Sequence, residues 1–153
     1  MKFRKNLRLK DYDYSANGYY FVTICCSCRV ELCIEYRDVI ERHLKKLENY
    51  NGVRLDYYKL MPNHLHFILI LGAEPKSSFL GKAAALPLHR HIQNFKSKTT
   101  LEIKKNGFVG KRFWQPNYYE HVIRSEESLI KIREYIENNP TAETLNWNEL
   151  DRH

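Results

Sequence analysis

Hydrophobic and polar positions alternate with two different periods along the chain, and the places where the period changes divide it into elements. GYYFVTICCSC (18–28), rich in β-branched and aromatic residues and preceded by the turn-like YDYSANG, predicts a first core strand. From Asp38 to Tyr50, Val39, Ile40, Leu44 and Leu47 recur at helical spacing until Asn51-Gly52 stops them, so a helix is expected there. VRLDYYKLM (53–61) and HLHFILIL (64–71) then read as two strands of an antiparallel hairpin joined around Pro62-Asn63.

The chain loosens at GAEPKSS (72–78) and becomes helical again from Leu88 to Lys105. There Ile92, Phe95, Leu101 and Ile103 are expected inward, Arg90, Lys96, Lys98, Lys104 and Lys105 are expected exposed, and Asn106-Gly107 ends the helix. KRFWQPNYYEHVIR (111–124) predicts another strand region, in which Pro116 implies an edge or a bulge. Ser125 followed by Glu126 and Glu127 marks a helix start, since serine caps free amides and carboxylates favour the positive end of the helix dipole. That helix runs to about Asn139, where Pro140 stops it. The order β-α-β-β-α-β-α predicts an α+β fold, an antiparallel sheet packed against helices on the ferredoxin-like or RNA-recognition-like plan. MKFRKNLRLK is expected to be an arm or first edge strand, and Trp147 to pin a short tail to the body.

At 153 residues the chain is expected to form a single domain, 1–153, able to bury a core without disulfides or a structural metal. Lys and Arg number 25 against 18 Asp and Glu, a formal charge of +7, which points to a polyanionic partner and first of all to nucleic acid. Eleven Tyr and seven Phe suit stacking on exposed bases, or equally the filling of a core. No stretch approaches the roughly 18 consecutive apolar residues of a membrane span, and MKFRKNLRLKDYDYS lacks the apolar run of a secretory signal, so no membrane association and a cytoplasmic location are expected. Cys25, Cys26, Cys28 and Cys33 lie in one apolar stretch without the paired C-x-x-C spacing of zinc sites, and are expected to be reduced, small and hydrophobic.

The most informative chemistry is His64-Leu65-His66 within MPNHLHFILIL. Residues i and i+2 of a strand share a face, so two imidazoles stand side by side on a rigid support, which is a metal-binding geometry. Two half-buried strand histidines are the ordinary alternative. On the last helix, Tyr135 and Asn139 are one turn apart, so a phenol and a carboxamide can address one point, as candidate nucleophile and candidate third ligand; Asn138 competes with Asn139. His121, in YEHVIR just before that helix, is a candidate base or a structural histidine, and Tyr118 and Tyr119 are rival phenols more suited to packing or stacking. Lys96, Lys98, Arg112 and Arg124 are candidates for contacts with DNA phosphates or members of a solvated basic face.

Five segments in order, DYSANGYYFVTICC, MPNHLHFILI, IQNFKSKTT, FWQPNYYEHVIR and REYIENNP, resemble the HUH single-tyrosine transposases, specifically the REP-associated tyrosine transposases. The resemblance implies a metal-dependent endonuclease and strand transferase acting on single-stranded DNA at hairpin-forming ends. It makes His64, His66 and Asn139 metal ligands and Tyr135 the nucleophile that forms a 5′-phosphotyrosine. Relatives often carry Gln where Asn139 stands, one methylene longer. Imidazole and amide donors suit Mg²⁺ or Mn²⁺, with Mn²⁺ the better match. The resemblance implies a monomer or a homodimer that shares or swaps the helix bearing Tyr135. Two other functions fit the same residues: a module that binds single-stranded RNA or DNA without cutting it, and a metal-dependent nuclease that uses water.

Overall fold

The computed structural model describes residues 18–27, 32–72 and 86–138. The basic opening, the YDYSANG turn, Cys28, most of GAEPKSS, Asn139 and the tail with Trp147 lie outside the described residues. Within them run β1 (Gly18–Cys25), α1 (Leu32–Glu35), α2 (Arg37–Lys46), β2 (Val53–Leu60), β3 (His64–Leu71), α3 (Leu88–Lys105), β4 (Tyr119–Ile123) and α4 (Glu126–Asn138). The four strands form one sheet in the order β2-β3-β1-β4, with every neighbouring pair antiparallel. This is the expected α+β plan of the ferredoxin-like kind.

The sheet separates two apolar clusters. Tyr20, Val22 and Ile24 of β1, with Leu65, Phe67, Leu69 and Leu71 of β3, pack with Val39, Ile40 and Leu44 of α2 and with Ile92, Phe95 and Ile103 of α3. The opposite face is smaller: Phe21, Ile68 and Ile123 meet Ile132, Tyr135 and Ile136 of α4. Strand alternation produces this division, because each strand sends successive side chains to opposite faces. The continuous apolar run of β3 follows from burial on both sides.

Four sequence expectations change in detail. The helix expected over Asp38–Tyr50 is α2, which starts one residue earlier at Arg37 and is continued by a 3-10 turn, Leu47–Asn49, ending before Gly52, whose φ of 77° is a left-handed conformation; the short α1 precedes it. In α3 the buried face is Leu88, His91, Ile92, Phe95, Thr99 and Ile103, whereas Leu101 is 64% exposed. Leu101 lies six residues after Phe95, well round the helix from the 92-95-99-103 stripe, so its apolar character cannot bring it inward. Lys96 is half-buried instead of exposed. The strand expected over 111–124 is regular only at Tyr119–Ile123; before Pro116 the chain touches the sheet through one isolated bridge, Cys26 to Trp114.

The helix stops and starts follow the sequence closely. Gly107, at φ 108°, donates to Lys104 O while Phe108 N donates to Ile103 O, the paired bonds that close a helix through a left-handed residue. At the head of α4, Ser125 Oγ accepts from Ser128 N at 3.1 Å, the cap that its position implied.

Candidate active site

β3 begins at His64, so the two histidines stand at one end of the sheet. Register places Cys25 opposite His64, Thr23 opposite His66 and Phe21 opposite Ile68, and on the other side of β1 Tyr119 opposite Thr23 and His121 opposite Phe21. All these side chains share the face that α4 covers. β4 leaves the sheet at its far end, beside Tyr19, and α4 runs back across the face for thirteen residues. Its last full turn therefore returns to the histidine end, carrying Tyr135.

Both imidazoles are buried and their ring centroids are 4.6 Å apart. His64 Nδ1 is 2.6 Å from Asn63 Oδ1. An amide oxygen can only accept, so Nδ1 carries the proton and Nε2 carries the lone pair, the tautomer that ligates a metal. His66 Nδ1 is 2.8 Å from Thr23 Oγ1, a hydroxyl able to accept from the same tautomer. Burial lowers the His64 pKa to about 4 and the His66 pKa to about 3, so both rings are neutral near pH 7. Neutral rings, each oriented through its second nitrogen by a polar neighbour, are what a histidine metal ligand requires.

Tyr135 lies against this pair. Its ring is 5.7 Å from His66 and 6.2 Å from Phe21, centroid to centroid, both edge-on, and Phe21 stacks on His66 at 5.5 Å. Burial raises the phenol pKa to about 12. At neutral pH such a phenol is almost wholly protonated, so an attack through Oη needs a nearby cation or a proton acceptor.

Two polar clasps fix where α4 sits. Arg133 Nε and Nη2 donate to Asp56 Oδ2 and Oδ1 at 2.9 and 2.6 Å, a two-pronged pair. Asp56 occupies the bulge between Leu55 and Tyr57, where β2 slips against β3. Lys59, the register partner of His66, donates Nζ to Glu137 O at 2.8 Å and thereby neutralises the negative end of α4. Arg133 and Glu137 flank Tyr135, so the clasps determine which turn of α4 faces the histidines.

The residues proposed from sequence are thus partly gathered and partly dispersed. His64, His66, Tyr135 and His121 share one face. Asn138 is exposed at the end of α4 and Asn139 lies outside the described residues. Lys98 is exposed on α3 and lies 5.6 Å over the Tyr50 ring, beside a 270 Å³ hollow that His43 and Lys46 also line. Lys96 is not a free surface charge: its Nζ donates to Gln115 O at 2.8 Å and Asn117 O at 3.1 Å and lies over the Tyr118 ring. Arg112 is exposed near it, and Arg124 is exposed at the far end of β4 from the histidines. Tyr119 packs edge-on against Phe21 at 6.1 Å. Sequence reading missed Asn63, Thr23, Asp56, Arg133 and Lys59. Only Asn63, directly before His64, left a local signal; the others depend on register.

Among the described residues, no three His, Cys, Asp or Glu side chains come together to hold a metal ion. Among the described residues, the donors that would fit one are the two imidazoles.

The model for IS200-like transposases matches residues 14–139, a span that contains both histidines, Tyr135 and the whole sheet. The chain belongs to the IS200-like transposase family. An uncharacterised protein of Haemophilus influenzae is 34% identical over 160 residues, covering 90% of this chain and 88% of its own length. Two solved structures share the fold. A REP-associated tyrosine transposase bound to a REP hairpin aligns over 92% of this chain and 73% of its own, with TM-score 0.62 and 19% identity. A Deinococcus radiodurans protein described as a candidate transposase aligns over 87% and 97%, with TM-score 0.52 and 20% identity. The family is that of transposases, and no helix among the described residues is long and apolar enough to cross a membrane.

Proposed function

We propose that this chain, acting as one domain in the cytoplasm, is a metal-dependent endonuclease and strand transferase for single-stranded DNA with hairpins, using Tyr135 as nucleophile. The observation that carries the reading is the meeting of Tyr135 with the His64–His66 pair at one end of the sheet. Family membership supports the same reading, and so does the hairpin in the related structure.

In this reading His64 and His66 would hold a divalent ion, with Asn139 as third ligand; Mg²⁺ and Mn²⁺ both suit these donors. The bound ion supplies Lewis-acid neutralisation of charge on the phosphate. Tyr135 Oη attacks phosphorus and gives up its proton, the P–O3′ bond breaks, and a 3′-hydroxyl leaves with a proton. The product is a 5′-phosphotyrosine, and because a phosphodiester is exchanged for a phosphodiester, a 3′-hydroxyl can reverse the attack and join new ends without a nucleotide cofactor. Asn63 holds His64 in the ligating tautomer, Thr23 orients the His66 ring through Nδ1, and Phe21 stacks on His66. His121, in the next row of the same face, is the candidate to hold a proton in the reaction.

The test is incubation of the purified chain with labelled single-stranded hairpin DNA in Mn²⁺ or in EDTA, resolved on a denaturing protein gel. A metal-dependent labelled adduct that disappears in Tyr135→Phe, while DNA binding persists, is the expected result. Cleavage without an adduct would instead identify a nuclease that uses water, and metal-independent binding without cleavage a binding module.

A further inference from the structure

Away from the α4 face, a groove of 730 Å³ runs between the outer side of α3 and the segment from Lys111 to Pro116. Lys104, Lys111 and Arg112 stand exposed along it, and none of its lining residues is acidic. Their charges remain available: the contact of Lys104 Nζ with Lys111 O is long, at 3.4 Å. Lys96 has a different part. Its ammonium, engaged on two carbonyls and a tyrosine ring, fastens the segment to α3 and so builds the wall of the groove. The lining also includes exposed apolar side chains, Leu101 at 64% exposure and Pro116. Cations interleaved with accessible apolar surface match a single strand, which offers phosphates and unstacked base faces together. A duplex hides its base faces, and the apolar part of the lining would have nothing to meet.

The groove also connects with the histidine end of the sheet. Gln115 N donates to Cys25 O at 2.8 Å and Gln115 Nε2 to Cys26 O at 3.1 Å, and Cys25 is the register partner of His64. The wall is thus hydrogen-bonded to the strand end that faces the metal-ligand pair. We propose that this groove binds the sugar-phosphate backbone of the single-stranded DNA adjoining the cleaved bond, through Lys104, Lys111 and Arg112. The proposal rests on the reading of the chain as a single-strand DNA enzyme and adds to it a second contact surface beyond the reacting phosphate.

The experiment is fluorescence-anisotropy titration of the full chain in EDTA, over a series of NaCl concentrations, with two probes: a twenty-residue oligothymidylate and a blunt twenty-base-pair duplex. Removing one cation that neutralises a single-strand phosphate lowers the slope of log affinity against log salt by about 0.7, which is about fivefold at 0.1 M salt. The triple variant Lys104→Ala, Lys111→Ala, Arg112→Ala should therefore bind the oligothymidylate about 100-fold more weakly, with the slope reduced by about 2. The charge-preserving variant Lys104→Arg, Lys111→Arg, Arg112→Lys should keep both. An equal loss on the duplex, no loss on the single strand, or loss in the charge-preserving variant would each overturn the proposal. Because binding in EDTA involves no cleavage, the result is separate from that of the adduct assay, where failure would overturn the tyrosine mechanism alone.

Discussion

The two faces of the sheet are made of the same four strands and serve opposite ends. The face toward α2 and α3 is a continuous apolar core in which Tyr20, Phe67, Phe95 and Leu44 are fully buried. The face toward α4 has a smaller apolar patch and is continued at one end by buried imidazoles, a hydroxyl and a phenol. Apolar packing is concentrated on one side and the candidate site on the other, and β3 serves both by alternation: Leu65 and Phe67 point one way, His64 and His66 the other. Polar side chains on the second face are tolerable because they are held in hydrogen bonds such as Asn63 to His64 and Thr23 to His66.

If the division is real, substitutions should separate by face. The largest effect on stability should come from Phe67→Ala, expected to cost about 3–5 kcal/mol in urea unfolding, whereas Tyr135→Phe removes one hydroxyl and should alter the midpoint little while eliminating the adduct. Comparable losses of stability from the two would contradict the division. Acid should weaken the α4 face next. His64 titrates near 6.5 unfolded and near 4 folded, so as pH falls from 6.5 the unfolded chain gains a proton that the folded chain refuses. Stability present above pH 6.5 is then lost, by roughly 3 kcal/mol on reaching pH 4, and a metal-free His64→Gln variant should show a flatter stability-pH curve over that window.

Smaller effects sharpen the comparison. Thr23→Val keeps shape but removes the partner of His66 Nδ1, and should weaken Mn²⁺ binding 10–100-fold by isothermal calorimetry. Asp56→Asn should cost about 1 kcal/mol, because the Arg133 side chain is 41% exposed and its ion pair is screened; its larger signature should be a slower adduct-forming rate, as Tyr135 loses its fixed height. Leu101→Ala should change stability by less than about 0.5 kcal/mol in the same urea assay, since its side chain already faces water.

Most of the fold was legible because the periodic stretches are long. The β2-β3 hairpin, the span of α3 and the Ser125 start of α4 follow directly from alternation, helical spacing and capping. His64, His66 and Tyr135 were legible because each falls on a regular element whose geometry fixes its neighbours along the chain. What failed were inferences that needed a neighbour across the fold. Leu101 was placed inward by its hydrophobicity, although its angular position disagrees with the buried stripe. Lys96 resembled a surface charge because nothing in the sequence announces the Gln115 and Asn117 carbonyls that hold it. Most of 111–124 resembled a strand because its aromatics bury well, as Phe113 and Trp114 do, without forming a ladder. Thr23 gains a role only when β1 is laid beside β3.

The irregularity at Asp56 marks the place where β2 can vary in length without changing any other pair. Before it, Val53 and Leu55 pair with Leu71 and Leu69; after it, Tyr57 and Lys59 pair with Ile68 and His66. Odd-numbered residues of β2 thus change sides at a single extra residue. Loops can gain or lose residues at little cost, and deleting Asp56 would likewise leave every other pair of β2 and β3 on its own face in a regular ladder, removing only the carboxylate that holds Arg133. Relatives with shortened loops are therefore expected to be common, and relatives lacking one residue here are expected to have lost the clasp on α4 as well.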